Sequence, residues 1–434
     1  MILQKWLETA RVYFDRRMLT MLGLGFSSGF PFLLVGGTLA LWLTDAHISL
    51  EIIGLFALVK IPYSFKWLWS PLTDRLRLPF FGRFGRRRGW ALFSQSLLIL
   101  SILAMAAVNP ANSVYLMMFL AALAVFASAT QDIVLDAFRV ECFTPEEQGA
   151  GAAIFILGYR IGFIFSGAVA LLLAAVISWN EVYILMSLGA VIGIISILFC
   201  REPETGTAPQ PIQGRTPLQK LKNFYLSAVK APIADFIRRR DWKVIVLFVM
   251  VYKLCDSYMA PMSMPFYDAM GFSKEEIAYV TKIFGMIATI IGGLWGGLVV
   301  KRYGIVKSLI LGSLLQGATT LMFVAQTYAG HNLGVLMLTI SLDNLAGGMS
   351  TTFFVAYISS LCNVTYTATQ YALLSSFMSL VRDLLSSTSG FLVQLFSWQI
   401  FFIITTLMSL PGLLLIFYMK KHGGLKPYAE AAHK

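Results

Sequence analysis

The chain has 434 residues, of which 57% are hydrophobic and 13% charged, with a formal net charge of +12 and a mean hydropathy of +0.73. Soluble domains carry about a quarter charged residues, so these proportions exclude an ordinary soluble protein, although the length would suit two or three soluble domains. The expected solvent is lipid.

Twelve apolar runs follow one another, each of about 20 residues or more and so long enough to cross a ~30 Å hydrocarbon core as a helix. They are predicted at 18–44, 49–70, 89–108, 113–139, 147–176 and 181–200 and, after a polar stretch, at 242–267, 276–300, 306–328, 333–362, 368–397 and 399–420. The strands of a membrane barrel would alternate polar and apolar residues instead. The expectation is an all-α membrane protein: a six-helix bundle over 1–200, a linker over 201–241 and a second six-helix bundle over 242–434.

Lys and Arg set the orientation. Lys5, Arg11, Arg16, Arg17, Arg75, Arg77, Arg83, Arg86, Arg87 and Arg88, nine cations from Arg201 to Lys243, then Lys301, Arg302, Lys307, Lys420, Lys421, Lys426 and Lys434 fall on one side, against Lys274 alone on the other. This positive-inside pattern predicts both termini in the cytoplasm. The positive charge is therefore topological, and no nucleic-acid partner is expected. The first run is too long for a signal-peptide core and lacks a small-residue cleavage site, so no removed leader is expected. Cys142, Cys200, Cys255 and Cys362 lie in or beside spans, without metal-ligand spacing, and neither a disulfide nor a metal is expected. No Walker-type loop occurs.

The linker begins REPETGTAPQPIQGRTP, a Pro- and Gly-rich flexible segment. Beyond it Leu218, Leu221, Tyr225 and Val229 recur at helical spacing, which fits a helix on the cytoplasmic surface or an ordinary solvated connector. A faint repeat links the halves. Gln148 precedes Arg160 by twelve residues and Gln370 precedes Arg382 by twelve, and each arginine is followed by a Ser-Gly pair, Ser166-Gly167 and Ser389-Gly390. Gly158 with Gly162, Gly292 with Gly296 and Gly293 with Gly297 predict close helix contacts. Pro261 and Pro265 predict a kink in the seventh span.

Nine charges fall at membrane depth: Lys60, Arg160, Lys253, Lys282, Arg382, Asp132, Asp256, Asp343 and Asp383. At ~2.5–3.5 kcal/mol each they would cost on the order of 25 kcal/mol facing lipid, so they must pair or line a wet cavity. In the fourth span Asp132, Asp136 and Arg139 share one helical face, with Asp132 about 9 Å from the span centre on the cytoplasmic side. Buried beside a second carboxylate and within reach of Arg139 or Arg160, Asp132 is a candidate proton carrier, as are Asp136 and Asp256; a permanent salt bridge is the alternative. Lys253 and Asp256, three residues apart, either satisfy each other or serve a site. Lys60, Arg160 and Arg382 suit an anionic substrate, and Tyr63 and Tyr159 could stack on a sugar or peptide. Lys66 is discounted, because near a membrane edge it can snorkel.

GFSSGFPFLLVGGTLALWL in the first span, IPYSFKWLWSPLTDR, GRRRGW, SATQDIVLDAFR and EEQGAGAAIFILGYRIG, with VYKLCDSYMAPMSMPFY opening the second half, resemble the AmpG muropeptide permeases of the major facilitator superfamily, which are related to acetyl-CoA transporters. The resemblance is dense in the first half and thins to topology later. It implies the major facilitator fold and proton-driven import of anhydromuropeptides, which are anionic sugar-peptides, across a bacterial inner membrane by a monomer with no cofactor beyond the coupling proton. By the same resemblance Asp74 and Arg75 with Arg86, Arg87 and Arg88 belong to a cytoplasmic gate, to which Arg139 is added. The matching loop of the second half, GGLVVKRYG, keeps Lys301 and Arg302 but lacks the aspartate, so closure is expected to be lopsided. Longer relatives carry extra hydrophobic segments, which leaves open a paralogue carrying another anionic solute, such as an acetyl-CoA-like, nucleotide-linked or smaller peptide compound. A membrane-embedded enzyme would want a histidine or nucleophile cluster at depth, and His47, His331, His422 and His433 all fall in loops or the tail. A channel or receptor has no need of two similar halves with opposed buried charges.

Overall fold

The computed structural model describes residues 11–203, 225–239, 241–386 and 388–422, with Thr216, Gln219 and Asn223. Among these, no strand occurs. Nine helices are long and apolar enough to cross a bilayer: α1 Arg16–Asp45, α3 Arg86–Ala106, α4 Val114–Cys142, α5 Gln148–Ala174, α6 Trp179–Phe199, α7 Trp242–Ala269, α9 Ile305–Ala329, α10 Leu333–Leu361 and α12 Trp398–Lys421. The remaining three runs form interrupted helices. Residues 50–75, called α2, break into short pieces from Leu50–Leu55 to Ser70–Arg75. The helix α8 joins Lys274–Tyr279 to Met286–Tyr303 through a π-turn over Val280–Gly285, and α11 is Thr367–Ser386 followed by Ser389–Leu395.

These interruptions have local causes. In α2, Pro62 and Pro71 sit in the first turns of the short helices Ile61–Phe65 and Ser70–Arg75, where a missing N–H is tolerated but the preceding helix cannot continue. The Ser-Gly pairs mark the breaks in α5 and α11. Ser166-Gly167 lies in a π-turn over Phe165–Val169, and Ser389-Gly390 begins the outer piece of α11. Pro261 and Pro265 both lie inside the helical stretch Leu254–Ala269, and α7 is interrupted before it at Tyr252 and Lys253. There the Lys253 carbonyl accepts from Ser257 Oγ at 2.7 Å while its ammonium turns to Asp256.

The arginine-rich segments gather at one end of the molecule, hereafter the basic end: Arg17 bonds Glu147, Arg75 the Ser227 carbonyl, and Arg87 both Asp74 and Glu141. Buried apolar side chains form two clusters in the first half, around Phe30 and Phe138, and two in the second, around Phe248 and Phe266. Within each half one helix pair packs backbone to backbone. A Cβ at Gly25 or Gly29 would come within 2.1 or 2.0 Å of the Phe155 or Tyr159 carbonyl oxygen, pinning α1 to α5, and one at Gly292 within 2.1 Å of the Leu345 oxygen, pinning α8 to α10. Only hydrogen fits there, as the small-residue spacing anticipates.

The linker helix Ala231–Ile237 docks against the basic end. Its buried stripe is Ala228, Pro232 and Phe236, whereas Tyr225 is 57% exposed, so the expected face is rotated; Leu218 and Leu221 lie outside the described residues. Docking is held by polar bonds. Arg75 Nη2 donates to the Ser227 carbonyl at 2.9 Å, Gln370 Nε2 to Asp235 at 2.8 Å, and Arg239 to the Leu361 carbonyl. The linker thus touches both halves.

Candidate functional site: two polar cavities and a latch at the basic end

The first cavity, about 300 Å³, is lined from the first half by Ser28, Phe32, Lys60, Tyr63, Ser64, Lys66, Asp132 and Tyr159, and from α11 by Ser375, Ser379 and Arg382. Five of the proposed site residues meet here: Lys60, Tyr63, Asp132, Tyr159 and Arg382. Asp132 accepts a hydrogen bond from Ser28 Oγ at 2.6 Å. With α4 running over Val114–Cys142, Asp132 sits about 6 Å from the helix centre rather than 9 Å. Lys60 Nζ lies 4.8 Å from the Phe32 ring centroid, a cation–π contact. Tyr63 donates its hydroxyl hydrogen bond to Ser128 Oγ at 2.8 Å, which leaves its ring toward the cavity and Phe32.

Lys66 is the residue that sequence reasoning discarded. It does not snorkel: the side chain is only 11% exposed, lines the first cavity and approaches Asp136 at 3.9 Å. The signal was present in its spacing from Lys60 and Tyr63, but the broken helix of α2 defeats a spacing argument. Asp136 is also 3.6 Å from Arg139, so the α4 face carries a chain of charges from the cavity toward the basic end. Arg139 is fully buried and reaches the second half, donating to Ser359 Oγ at 2.9 Å and lying over the Tyr371 ring.

The second cavity, about 390 Å³, belongs to the second half. It is lined by Asp256, Asp343, Asn344, Gln316, Thr289 and Tyr267 among others, with Arg160 as the first-half contribution. Lys253 and Asp256 bond at 2.6 Å, so of the two readings the pair satisfies itself on one oxygen. Asp256 and Arg160 thus line a different cavity from Asp132. The side chains of Lys282 and Asp383 lie outside the described residues.

At the basic end, Arg87 is 1% exposed and donates through Nη2 to Asp74 at 2.7 Å and to Glu141 at 2.5 Å. Arg86 supports them by donating to the Asp74 backbone carbonyl at 2.5 Å. Asp74 also reaches across the halves. It accepts from the backbone N–H groups of Ala368 and Thr369, at 3.2 and 2.8 Å, and from Thr369 Oγ1 at 2.6 Å. These are first-turn donors of α11, which carry the positive end of the helix dipole. Below it Ile133 and Ala137 of α4 pack on Ala368 and Ala372 of α11, flanked by Trp67 and Trp69. The basic end is closed.

Two expected members of this cluster serve elsewhere. Arg75 faces the linker and the Tyr366 ring, and Arg88 donates to the Ile197 and Leu198 carbonyls at the C-terminus of α6, where the unpaired carbonyls of a helix end attract a guanidinium. Their places are taken by Glu141 and Glu202, neither singled out from sequence. Glu202 accepts from the Arg87 and Arg88 backbone N–H groups at 2.7 and 3.0 Å and so caps α3. Acidic residues in basic loops look like solvated charge until the fold buries them.

The Major Facilitator Superfamily model matches residues 18–382 and 254–433. The chain belongs to that superfamily and, within it, to the AmpG-type permeases. It is 38% identical over 408 residues to the anhydromuropeptide permease of Escherichia coli (strain K12), covering 94% of this chain and 80% of the relative. It is 34% identical over 415 residues to a protein of Rickettsia conorii named AmpG 4, covering 95% and 99%. Two solved structures share the fold. A proton:xylose symporter, XylE, bound to 6-bromo-6-deoxy-D-glucose has a TM-score of 0.66 at 13% identity and covers 96% of this chain and 95% of its own. The human organic anion transporter MFSD10 has a TM-score of 0.64 at 17% identity and covers 92% and 97%. With this family and these apolar helices, the chain is a multi-pass protein of the bacterial inner membrane.

Proposed function

We propose that this protein is a proton-coupled importer of anhydromuropeptide-type sugar-peptides, working by alternating access of its two halves. Twelve crossings with both ends in the cytoplasm accompany this reading, because the basic end belongs inside by the positive-inside rule. The observation that carries it is the first cavity, where Asp132, the one lining carboxylate among the described residues, shares about 300 Å³ with Lys60, Lys66 and Arg382. Three cations suit the carboxylates of such a cargo, while Tyr63, Tyr159 and Phe32 offer apolar faces to a sugar. The name of the E. coli relative supports the same cargo.

Asp132 is the coupling carboxylate in this reading. Protonated, it no longer competes with the cargo's carboxylate for Lys60 and Lys66. Deprotonated, it re-engages them and favours release. Asp136, between Lys66 and Arg139, relays the change toward the closed end. There the triad of Asp74, Arg87 and Glu141 and the cap on α11 act as the latch, which parts when the cytoplasmic side opens.

The experiment is uptake of a labelled anhydromuropeptide into vesicles with an imposed pH gradient. Wild type should accumulate it above equilibrium and Asp132→Asn should only equilibrate it, with equal protein in the membrane. Gradient-driven accumulation by Asp132→Asn would remove that residue from coupling, and no transport by wild type would defeat the cargo.

A further inference from the structure

The second cavity is unlike the first in what it leaves unmet. Asp256 uses one oxygen on Lys253, and its other oxygen, Oδ1, is buried without a hydrogen-bond partner. Gln316, 6% exposed, lines the same cavity and likewise has a buried Oε1 with no partner. Asp343 accepts one hydrogen bond, from Thr319 Oγ1 at 3.2 Å, and among the described residues it enters no ion pair within 4.0 Å. Three acceptor groups, two of them carboxylates, thus share about 390 Å³ of polar space with Arg160, and Asp256 Oδ1 and Gln316 Oε1 have no donor. A buried acceptor without a donor costs roughly 1–3 kcal/mol, more for a charged group, so the site is built for something that brings hydrogen. A primary ammonium brings three donors and a positive charge. The cavity already accommodates one such group at its edge, since Lys253 is bonded to the other oxygen of Asp256.

The two cavities adjoin. Tyr159 lines the first and Arg160, the next residue of α5, lines the second, so one backbone step of ~3.8 Å separates their walls. Their charge balances oppose: Lys60, Lys66 and Arg382 outnumber Asp132 in the first, and Asp256 and Asp343 outnumber Arg160 in the second. We infer that the second cavity is an ammonium subsite, and that the cargo is a zwitterion laid across both halves with its carboxylate on the first cavity and a free primary amine on the second. This rests on the sugar-peptide reading above and sharpens it, because an anion without an amine would leave the second cavity unfilled.

Binding to the purified full-length protein tests it, using an anhydromuropeptide with one free amine in its peptide and the same compound N-acetylated at that amine. Each is titrated in sodium and in choline buffer. The free-amine compound should bind wild type at least tenfold tighter in both buffers, and Asp343→Asn should abolish that preference while still binding the acetylated compound as wild type does. Gln316→Leu should narrow the preference in the same direction. Equal affinity of the two compounds for wild type overturns the subsite and leaves the sugar-peptide function standing. A preference that appears only with sodium assigns the acidic cavity to a metal cation and also overturns it. Binding of neither compound defeats the sugar-peptide reading and this inference with it.

Discussion

Arg160 and Arg382 occupy matching places in the two halves, twelve residues beyond Gln148 and Gln370, yet each lines the cavity built mainly by the opposite half. The pseudo-symmetry is expressed as an exchange of cations across the interface. Removing Arg382 should therefore disturb cargo held by the first half while leaving that half's fold intact. Arg382→Gln is expected to weaken binding of an anionic sugar-peptide about tenfold, or ~1.4 kcal/mol, with unchanged thermal stability. Titration and a melting curve on the same sample decide it.

Lys66 should matter more than its place near a membrane edge suggests. It stands between the first cavity and Asp136. Lys66→Met keeps the packing and removes the charge. Uptake driven by a pH gradient is expected to fall at least tenfold, while an exposed cation such as Lys243→Met should leave it within a factor of two.

The latch predicts an asymmetry between single and joint substitution. Arg87→Met strands Asp74 and Glu141, both nearly inaccessible, and breaking a buried pair this way costs about 3–5 kcal/mol. Combining it with Asp74→Asn and Glu141→Gln removes the stranded charges and should recover much of the loss. Melting temperatures of the purified variants measure both steps.

The helix contacts give a simple pair. Gly29→Ala pushes a methyl group to 2.0 Å from the Tyr159 carbonyl oxygen, whereas at Gly37 it would meet only Leu33 Cδ2 at 3.8 Å. The first substitution should destabilise by about 1–3 kcal/mol and lower the amount of folded protein. The second should be neutral.

Asp15 caps α1 by accepting from the Arg17 backbone N–H at 2.8 Å. The Arg17 side chain hydrogen-bonded to it holds its carboxyl below the usual carboxylate range. Its contribution, about 1 kcal/mol for a cap, is therefore present at neutral pH and is lost as pH falls through that lowered value. Asp15→Ala should melt below wild type at pH 7, and the gap should close under strongly acidic conditions.

Much of this molecule was legible in its sequence because lipid is an undemanding reader. Long apolar runs and the arginine count give the helices and the basic end, and the Gln–Arg–Ser-Gly repeat gives the match between halves. Charges at depth had to face a cavity, and Lys60, Asp132 and Arg382 do. What failed were inferences that need side-chain direction. A helix broken as often as α2 has no constant periodicity, so Lys66 was misplaced. The division of Asp132 from Asp256 and Arg160 depends on which cavity each side chain lines. Glu141 ends α4 and Glu202 follows α6, where each reads as ordinary boundary charge until folding sets it against Arg87 and the first turn of α3.

The contact between α5 and α8 is made at close range by small residues. A Cβ at Gly297 would lie 3.0 Å from both the Ala150 Cα and the Gly149 oxygen, and one at Gly149 would strike Val300; the Tyr13 hydroxyl bonds to the Leu294 carbonyl beside them at 2.6 Å. In the proposed alternating access the α1–α5 and α8–α10 pairs, each locked inside its own half, would travel as blocks. Where the blocks meet, Gly149, Ala150 and Gly297 keep the contact low, with the Val300 side chain and the Tyr13 hydroxyl set against it. In that reading the seam is a fulcrum, about which a small tilt becomes a wide swing at the far ends of the helices.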